Sequence, residues 1–220
     1  MDPVFGVLAL QGAFRAHVDR LTSVGVDVRE VRTPEQLSSV DALVMPGGES
    51  TSMSNLLTSS GLYDPIAERI AAGMPVFGTC AGMILLADKI VDGRDDQRHF
   101  HVLDITVRRN GYGRQINSFE ADVALDGVET PFHGVFIRAP KVESVGPGVD
   151  VLARCEGDPV LVRHGRLLAA SFHPELTNDT RLHELFVDIV EGTESRRSGA
   201  TSRLGTAATP GASPAASIKE

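Results

Sequence analysis

The chain reads as an α/β protein: a three-layer fold with a mostly parallel central sheet, helices on both faces and a mixed or antiparallel extension. Three observations predict this. In the first half, short apolar runs alternate with stretches of helical periodicity, the pattern of repeated strand–helix units. Some of those runs, Val4–Leu10 and Asp41–Met45 among them, are apolar almost throughout, as strands covered on both faces must be. From Asp92 onward the pattern changes to β-like runs separated by glycine, proline and aspartate turns.

Taken in order, Val4–Leu10 (VFGVLAL) is a fully buried first strand, broken by Gln11-Gly12 before a helix with Phe14, Val18 and Leu21 inward. Val26–Val31 alternates valine with charged residues, as a strand near a sheet edge does. Asp41–Met45 is a third strand. It ends in Pro46-Gly47-Gly48-Glu49-Ser50-Thr51, a turn with exposed N–H groups suited to an anion or polar substrate, where Ser50 or Thr51 is expected to cap a helix beginning near Ser52. Asp64–Ala72 is the next helix, stopped by Gly73 and Pro75. Pro75–Phe77 then reads as a buried strand, and Ala81–Ile90 as a helix through Met83, Ile84, Leu86, Ala87 and Ile90.

Beyond the polar loop Asp92–Arg98, strand-like runs fall at Val102–Val107, Ala121–Ala124, Gly134–Ile137, Val149–Ala153 and Val160–Arg163. Leu167–Phe172 is another buried strand, running into His173-Pro174-Glu175. A last helix spans roughly Thr180–Val190, with Thr177, Asn178 or Asp179 to cap it. Residues 1–192 are thus expected to form one domain. After Gly192 only Leu204 and Ile218 are larger apolar side chains, too little to bury, so 193–220 is expected to be a flexible tail.

At 220 residues the chain can bury a core without disulfide or metal staples. Its two cysteines, Cys80 and Cys155, lie far apart and nothing resembles a secretory leader, which favours a reduced, cytoplasmic setting. No apolar run approaches the length of a membrane span. A formal charge of −8 and a pI of about 5.4 argue against a nucleic-acid surface, which needs a basic stripe.

Chemistry is expected first at Cys80. It falls on the joint between a strand and a helix, flanked by Gly78 and Gly82, which let the backbone bend and approach its surroundings, the logic of a nucleophile elbow. A thiol at a helix N-terminus sits beside unpaired N–H groups that favour the thiolate and can hold an oxyanion. His173 and Glu175 lie two positions apart at a strand end, so extended geometry projects them to one side, base beside orienting carboxylate. In a doubly wound sheet, Cys80, the Gly47-Gly48 loop and His173 all emerge at the carboxyl edge of the strands, where ligands gather. His99 and His101 have strand spacing but no third metal ligand. His17, His133, His164 and His183 read as surface or satisfied polar residues, and Cys155 as a buried one. No metal or cofactor is expected.

GTCAGM with a downstream HPE resembles the class I glutamine amidotransferases. LALQGAFRAHV, MPGGEST, RRNGYGRQINSFEAD at Arg108–Asp122, GVFIRAP at Gly134–Pro140 and SFHPELT narrow the resemblance to the glutaminase subunits of two-component pyridoxal 5′-phosphate synthases, over about Val4–Val190. The resemblance implies a Cys80-His173-Glu175 triad that hydrolyses L-glutamine. It further implies substrate contacts at Gly48, Glu49, Ser50, Arg109, Ile137 and Arg138. The oxyanion hole would be made by the N–H groups of Ala81 and of a glycine in Gly47-Gly48, taken as Gly48. An arginine suits the substrate α-carboxylate, and a glutamate or backbone carbonyl its α-ammonium.

The resemblance also implies a partner, a barrel-shaped synthase subunit that takes up the ammonia, in an assembly of twelve copies of each subunit. Gln11-Gly12, a pliable turn beside the oxyanion loop, is a plausible relay of activation by that partner. Two competing readings are an amidotransferase subunit serving another acceptor and a non-catalytic, partner-binding subunit.

Overall fold

The computed structural model describes residues 2–94, 96–109, 111, 118–125 and 129–193. The expected tail beyond Thr193, and residues 110 and 112–117 of the Arg108–Asp122 motif, lie outside those described.

Strand β1 (Val4–Leu8) leads into helix α1 (Phe14–Ser23), followed by β2 (Asp27–Val31), α2 (Pro34–Ser38), β3 (Ala42–Met45), α3 (Ser50–Ser59), α4 (Tyr63–Ala71), β4 (Val76–Thr79) and α5 (Ala81–Leu86). The chain then turns to β structure: β5 (Ala87–Ile90), β6 (Leu103–Arg108), β7 (Ser118–Leu125), β8 (Phe132–Ile137), β9 (Lys141–Val145), β10 (Asp150–Cys155), β11 (Asp158–His164) and β12 (Leu167–Ala170). A 3-10 turn at Pro174–Leu176 precedes α6 (Arg181–Glu191).

The main sheet has the order β2-β1-β3-β4-β12-β11-β10-β7-β8. Its first half, β2 to β12, is parallel, and every pairing after β12 is antiparallel. The expected extension is therefore a continuation of the same sheet, and a small β5-β6-β9 sheet accompanies it.

Side chains alternate strictly between the two faces of the parallel half. Phe5, Val7, Ala42, Val44, Phe77, Leu168 and Ala170 join one apolar cluster with Leu21 of α1 and Leu182, Phe186 and Ile189 of α6. Leu8, Leu43, Met45, Val76, Leu167 and Ala169 join the other, with Leu37 of α2, Met53 and Leu57 of α3, Ile66 of α4 and Met83 to Leu86 of α5. Both faces are covered, which is why these strands are apolar throughout and the molecule has three layers.

Two local expectations are corrected. Helix α5 ends at Leu86, because from Ala87 the chain is extended and pairs with β6 (Ala87 with Leu103, Ile90 with Val107). Glu49, rather than Ser50 or Thr51, caps α3: its carboxylate accepts the N–H groups of Thr51 and Ser52, where it also meets the positive end of the helix. Helix α2 and strand β9 were not anticipated. At the start of α6 the Asp179 carboxylate does accept the N–H of Arg181. Among the described residues no helix is long and apolar enough to cross a membrane.

Strand β1 lies between β2 and β3, so the chain reverses its direction of travel across the sheet there. A crevice opens at such a switch point, outside the carboxyl ends of the strands. The loops after β1, β3, β4 and β12 border it.

Candidate active site

Cys80 joins β4 to α5 with φ 49° and ψ −103°, a left-handed conformation that costs a residue with a Cβ about 1–3 kcal/mol. Ties on both sides hold it there: its N–H donates to the Ala170 carbonyl at 2.8 Å, and its carbonyl accepts from Ile84 at 3.2 Å. The bend is thus made by the cysteine itself. The flanking glycines serve close approach instead. A Cβ at Gly82 would lie 2.2 Å from the Met45 carbonyl oxygen, and one at Gly78 would lie 2.7 Å from the Gly82 carbonyl carbon. Only glycine at both positions lets α5 sit down on β3 and β4.

Strand alternation does not pair His173 with Glu175 as expected. Strand β12 stops at Ala170, and the following 3-10 turn brings Glu175 Oε1 to 2.8 Å from His173 Nδ1. The turn is held on the far side by His173 N–H donating to the Val135 carbonyl of β8 at 2.8 Å. With Nδ1 committed to the carboxylate, Nε2 is the ring nitrogen left for Cys80. Burial acts to lower the His173 pKa, but hydrogen bonding to Cys80 and Glu175, and the charges they carry, outweigh it and push it up to about 10. Glu175 is opposed by burial in turn, yet the imidazoles of His17 and His173 keep it below the ordinary carboxylate range. The favoured state of His173 is therefore an imidazolium backed by the Glu175 carboxylate.

Every residue expected to contact substrate, namely Gly48, Glu49, Ser50, Arg109, Ile137 and Arg138, lines a cavity of about 250 Å³ together with Cys80, Ile84 and His173. The buried Ser50 hydroxyl has no hydrogen-bond partner among the described residues. The Ile137 carbonyl lies 3.8 Å from the Cys80 sulfur. The two arginines differ. Arg109 is braced by Glu49 (2.8 Å), Thr51 (3.1 Å) and Gln97 (3.2 Å), whereas Arg138, at φ 44°, makes no hydrogen bond or ion pair among the described residues.

The Glu49 carboxylate is fully occupied. Burial works to raise its pKa, but the Ser52 hydroxyl and the Ser52 and Thr51 N–H groups outweigh this and bring it to about 2. Ala81 is the first residue of α5, so its N–H has no partner within the helix.

Gln11 and Gly12 touch the loop after β3. A Cβ at Gly12 (φ +82°) would fall 1.8 Å from the Gly47 carbonyl oxygen, and the Gln11 side chain lies against Gly48. Gly47 in turn is wedged into the site: a Cβ there would lie 2.3 Å from His173 Cε1 and 3.2 Å from Cys80 Cβ.

Four residues of this neighbourhood were not foreseen. Gln97, in the polar loop, accepts from both Thr51 and Arg109; no periodicity marked it. His17 and His183 are wholly buried, with Thr79 beside them, against the back of Glu175. His17 was detectable, since it sits on the inward stripe of α1 defined by Phe14, Val18 and Leu21. His133 and His164 are exposed, and Cys155 is buried. The His99 and His101 rings lie tilted against each other with centres 3.6 Å apart, each with Nδ1 against a backbone carbonyl. Among the described residues no cluster of three or more His, Cys, Asp or Glu forms a metal site.

Known proteins resemble this chain in sequence and fold. A family model described as the SNO glutamine amidotransferase family matches residues 7–192. A pyridoxal 5′-phosphate synthase subunit PdxT from Mycobacteroides abscessus is 56% identical over 190 residues, 86% of this chain and 98% of that protein. Its namesake from Frankia alni is 56% identical over 196 residues, 89% of this chain and 98% of that one. A solved structure described as a glutamine amidotransferase superposes with a TM-score of 0.80 at 49% identity, covering 85% of this chain and 98% of the other.

Proposed function

We infer that this chain, which belongs to the SNO glutamine amidotransferase family, is the glutaminase subunit of a pyridoxal 5′-phosphate synthase: it hydrolyses L-glutamine and passes the ammonia to a synthase subunit. The observation that supports the chemistry is the hydrogen bond from His173 to Glu175, with His173 and Cys80 lining the same cavity of amino-acid size.

The Cys80 thiolate attacks the side-chain amide carbon of glutamine. The N–H groups of Ala81 and Gly48 hold the oxyanion, and His173 gives its proton to the departing nitrogen, releasing ammonia and leaving a γ-glutamyl thioester. His173, now neutral, takes a proton from water as it attacks the thioester, and glutamate leaves. Arg138, whose guanidinium is unengaged, takes the substrate α-carboxylate. Arg109 is held in place by Glu49, and the free Ser50 hydroxyl offers a further polar contact.

Ammonia is mostly ammonium in neutral water and then has no lone pair to attack with, so a sheltered route into the partner is required. The partner is a barrel-shaped synthase subunit in an assembly of twelve copies of each, in the cytoplasm. Gln11-Gly12 relays its docking to the oxyanion loop, a reading supported by the packing of Gly12 on Gly47. Residues 1–192 form the working domain.

The test is glutamate release from glutamine, with and without the synthase subunit, for the parent and Cys80→Ala. The parent should respond to the partner, and the variant should fall by at least about a thousandfold, the usual consequence of losing a covalent nucleophile. A Cys80→Ala protein as active as the parent overturns the assignment.

A further inference from the structure

The Glu175 carboxylate has two oxygens and only one of them is used by the triad. Oε1 meets His173. Oε2 is buried, with the side chain wholly inaccessible, and makes no hydrogen bond among the described residues; His17 Nε2 lies 3.3 Å from it. A buried carboxylate oxygen without a donor is costly, more so than most unmet groups because it is charged. A hydrogen on His17 Nε2, shared with Thr79 Oγ1, would ease that cost. That choice of tautomer settles the rest of the cluster. His17 Nδ1 is then an acceptor, and the atom facing it, at 3.0 Å, is His183 Nε2, which must donate. His183 Nδ1 is left as a lone pair, and it is the ring nitrogen of that residue with no partner.

Every ring in the series is thus consistent with neutral histidines handing hydrogen in one direction. His183 donates to His17, whose Nε2 is hydrogen-bonded to Thr79 Oγ1 at 3.2 Å and stands 3.3 Å from Glu175 Oε2. His173 approaches the same carboxylate from the other end.

We propose that His17 is a positioning residue of the triad, its Nε2–H holding the second oxygen of Glu175, with His183 fixing His17 in the tautomer that does so. The proposal rests on Cys80, His173 and Glu175 being the reacting groups. Burial keeps both back histidines neutral: it lowers the His17 pKa, and it brings His183 to about 3. A neutral His17 steadies the carboxylate without taking over its charge, so the charge remains available to the His173 imidazolium. Other groups bearing on the pair are His173 and, toward His183, Arg20.

The test compares His17→Leu with His17→Gln, whose amide N–H reaches about as far as Nε2. Two readouts are taken. The first is steady-state glutamate release in the presence of the synthase subunit. The second is the pH dependence of Cys80 alkylation by iodoacetamide in the chain alone, followed as mass on the Cys80 peptide, which needs no glutamine. A lost hydrogen bond to a charged group should lower kcat about tenfold to a hundredfold in His17→Leu, with KM within about twofold. The pH at which Cys80 becomes reactive should rise by about one unit. His17→Gln should recover most of both.

An alkylation profile unchanged in folded His17→Leu, or a glutamine variant no better than leucine on both readouts, overturns the proposal and leaves His17 a packing residue. If His17→Leu does not fold, His183→Phe reads the same series from its outer end. The same upward shift in alkylation, with at least about a threefold loss of kcat, supports the proposal, and an unchanged profile overturns it. Alkylation responding as stated in a parent that releases no glutamate would sink the assigned reaction and leave the positioning role standing.

Discussion

At Gly47 one hydrogen in place of a methyl decides whether the triad can form. A Cβ there would press on the His173 ring at 2.3 Å and on the Cys80 Cβ at 3.2 Å, and the ring is boxed in by Glu175 and by its own backbone bond to Val135. The imidazole has to move, and displacement by about 1 Å is enough to cost a catalytic group about a hundredfold. Gly47→Ala is expected to lose at least that much kcat while its urea midpoint stays close to the parent's; a variant with full turnover would show that the ring has room to yield. Cys80 and His173 could be found from sequence because nucleophile and base have to stand at strand ends beside glycine or proline. His17 could not be given its role, because a histidine on an inward helical stripe reads the same whether it fills space or holds a carboxylate. Gln97 lies in a loop without period, and only the fold brings it to Arg109.

The loop from β1 to α1 is the element through which a docked partner would be felt. Gly12 adopts φ +82° with the Gly47 carbonyl directly against it, so any change in the Gln11-Gly12 peptides must be met by the loop after β3. Proline fixes φ near −65° and cannot occupy this conformation. Gly12→Pro should abolish stimulation by the synthase subunit, measured as the ratio of glutamate release with and without it, and an unchanged ratio would dismiss the relay. Elements elsewhere were legible where one structure alone fits the pattern. Strands β1, β3, β4 and β12 are buried on both faces and have no helical reading of their length. The run after Met83 fits two structures: its apolar spacing suits a helix, but from Ala87 the ladder to β6 is the stronger claim. Helix α2 did carry a signal, Thr33-Pro34 followed by Gln36. The Thr33 hydroxyl accepts the Gln36 N–H, and the Gln36 side chain reaches back to the N–H of Arg32.

For the molecule as a whole, the charges buried behind the active site set how stability varies with pH. His17 and His183 both have folded pKa values lowered by burial, His183 to about 3, against about 6.5 unfolded. Below pH 6.5 the unfolded chain therefore takes up protons that the folded one refuses, and stability falls as pH falls. Because the two rings share a hydrogen bond, one to two protons are involved, about 1.4 to 2.7 kcal/mol per pH unit. His173 works the other way. Its folded pKa is raised to about 10, so the stability it contributes is complete below pH 6.5 and is lost as pH climbs toward 10. Glu175, held low, contributes above about pH 4.5 and loses its contribution in more acidic solution. The opposed slopes meet near pH 6.5, where the chain alone should be most stable. Urea unfolding between pH 5 and 9 measures this directly. The midpoint should peak near pH 6.5, and His183→Phe should flatten the acid side while leaving the alkaline side as it is. A midpoint that is level from pH 5 to 6.5 in the parent would mean that the back histidines take up protons inside the fold, and the one-way hydrogen-bond series to Glu175 could not then hold.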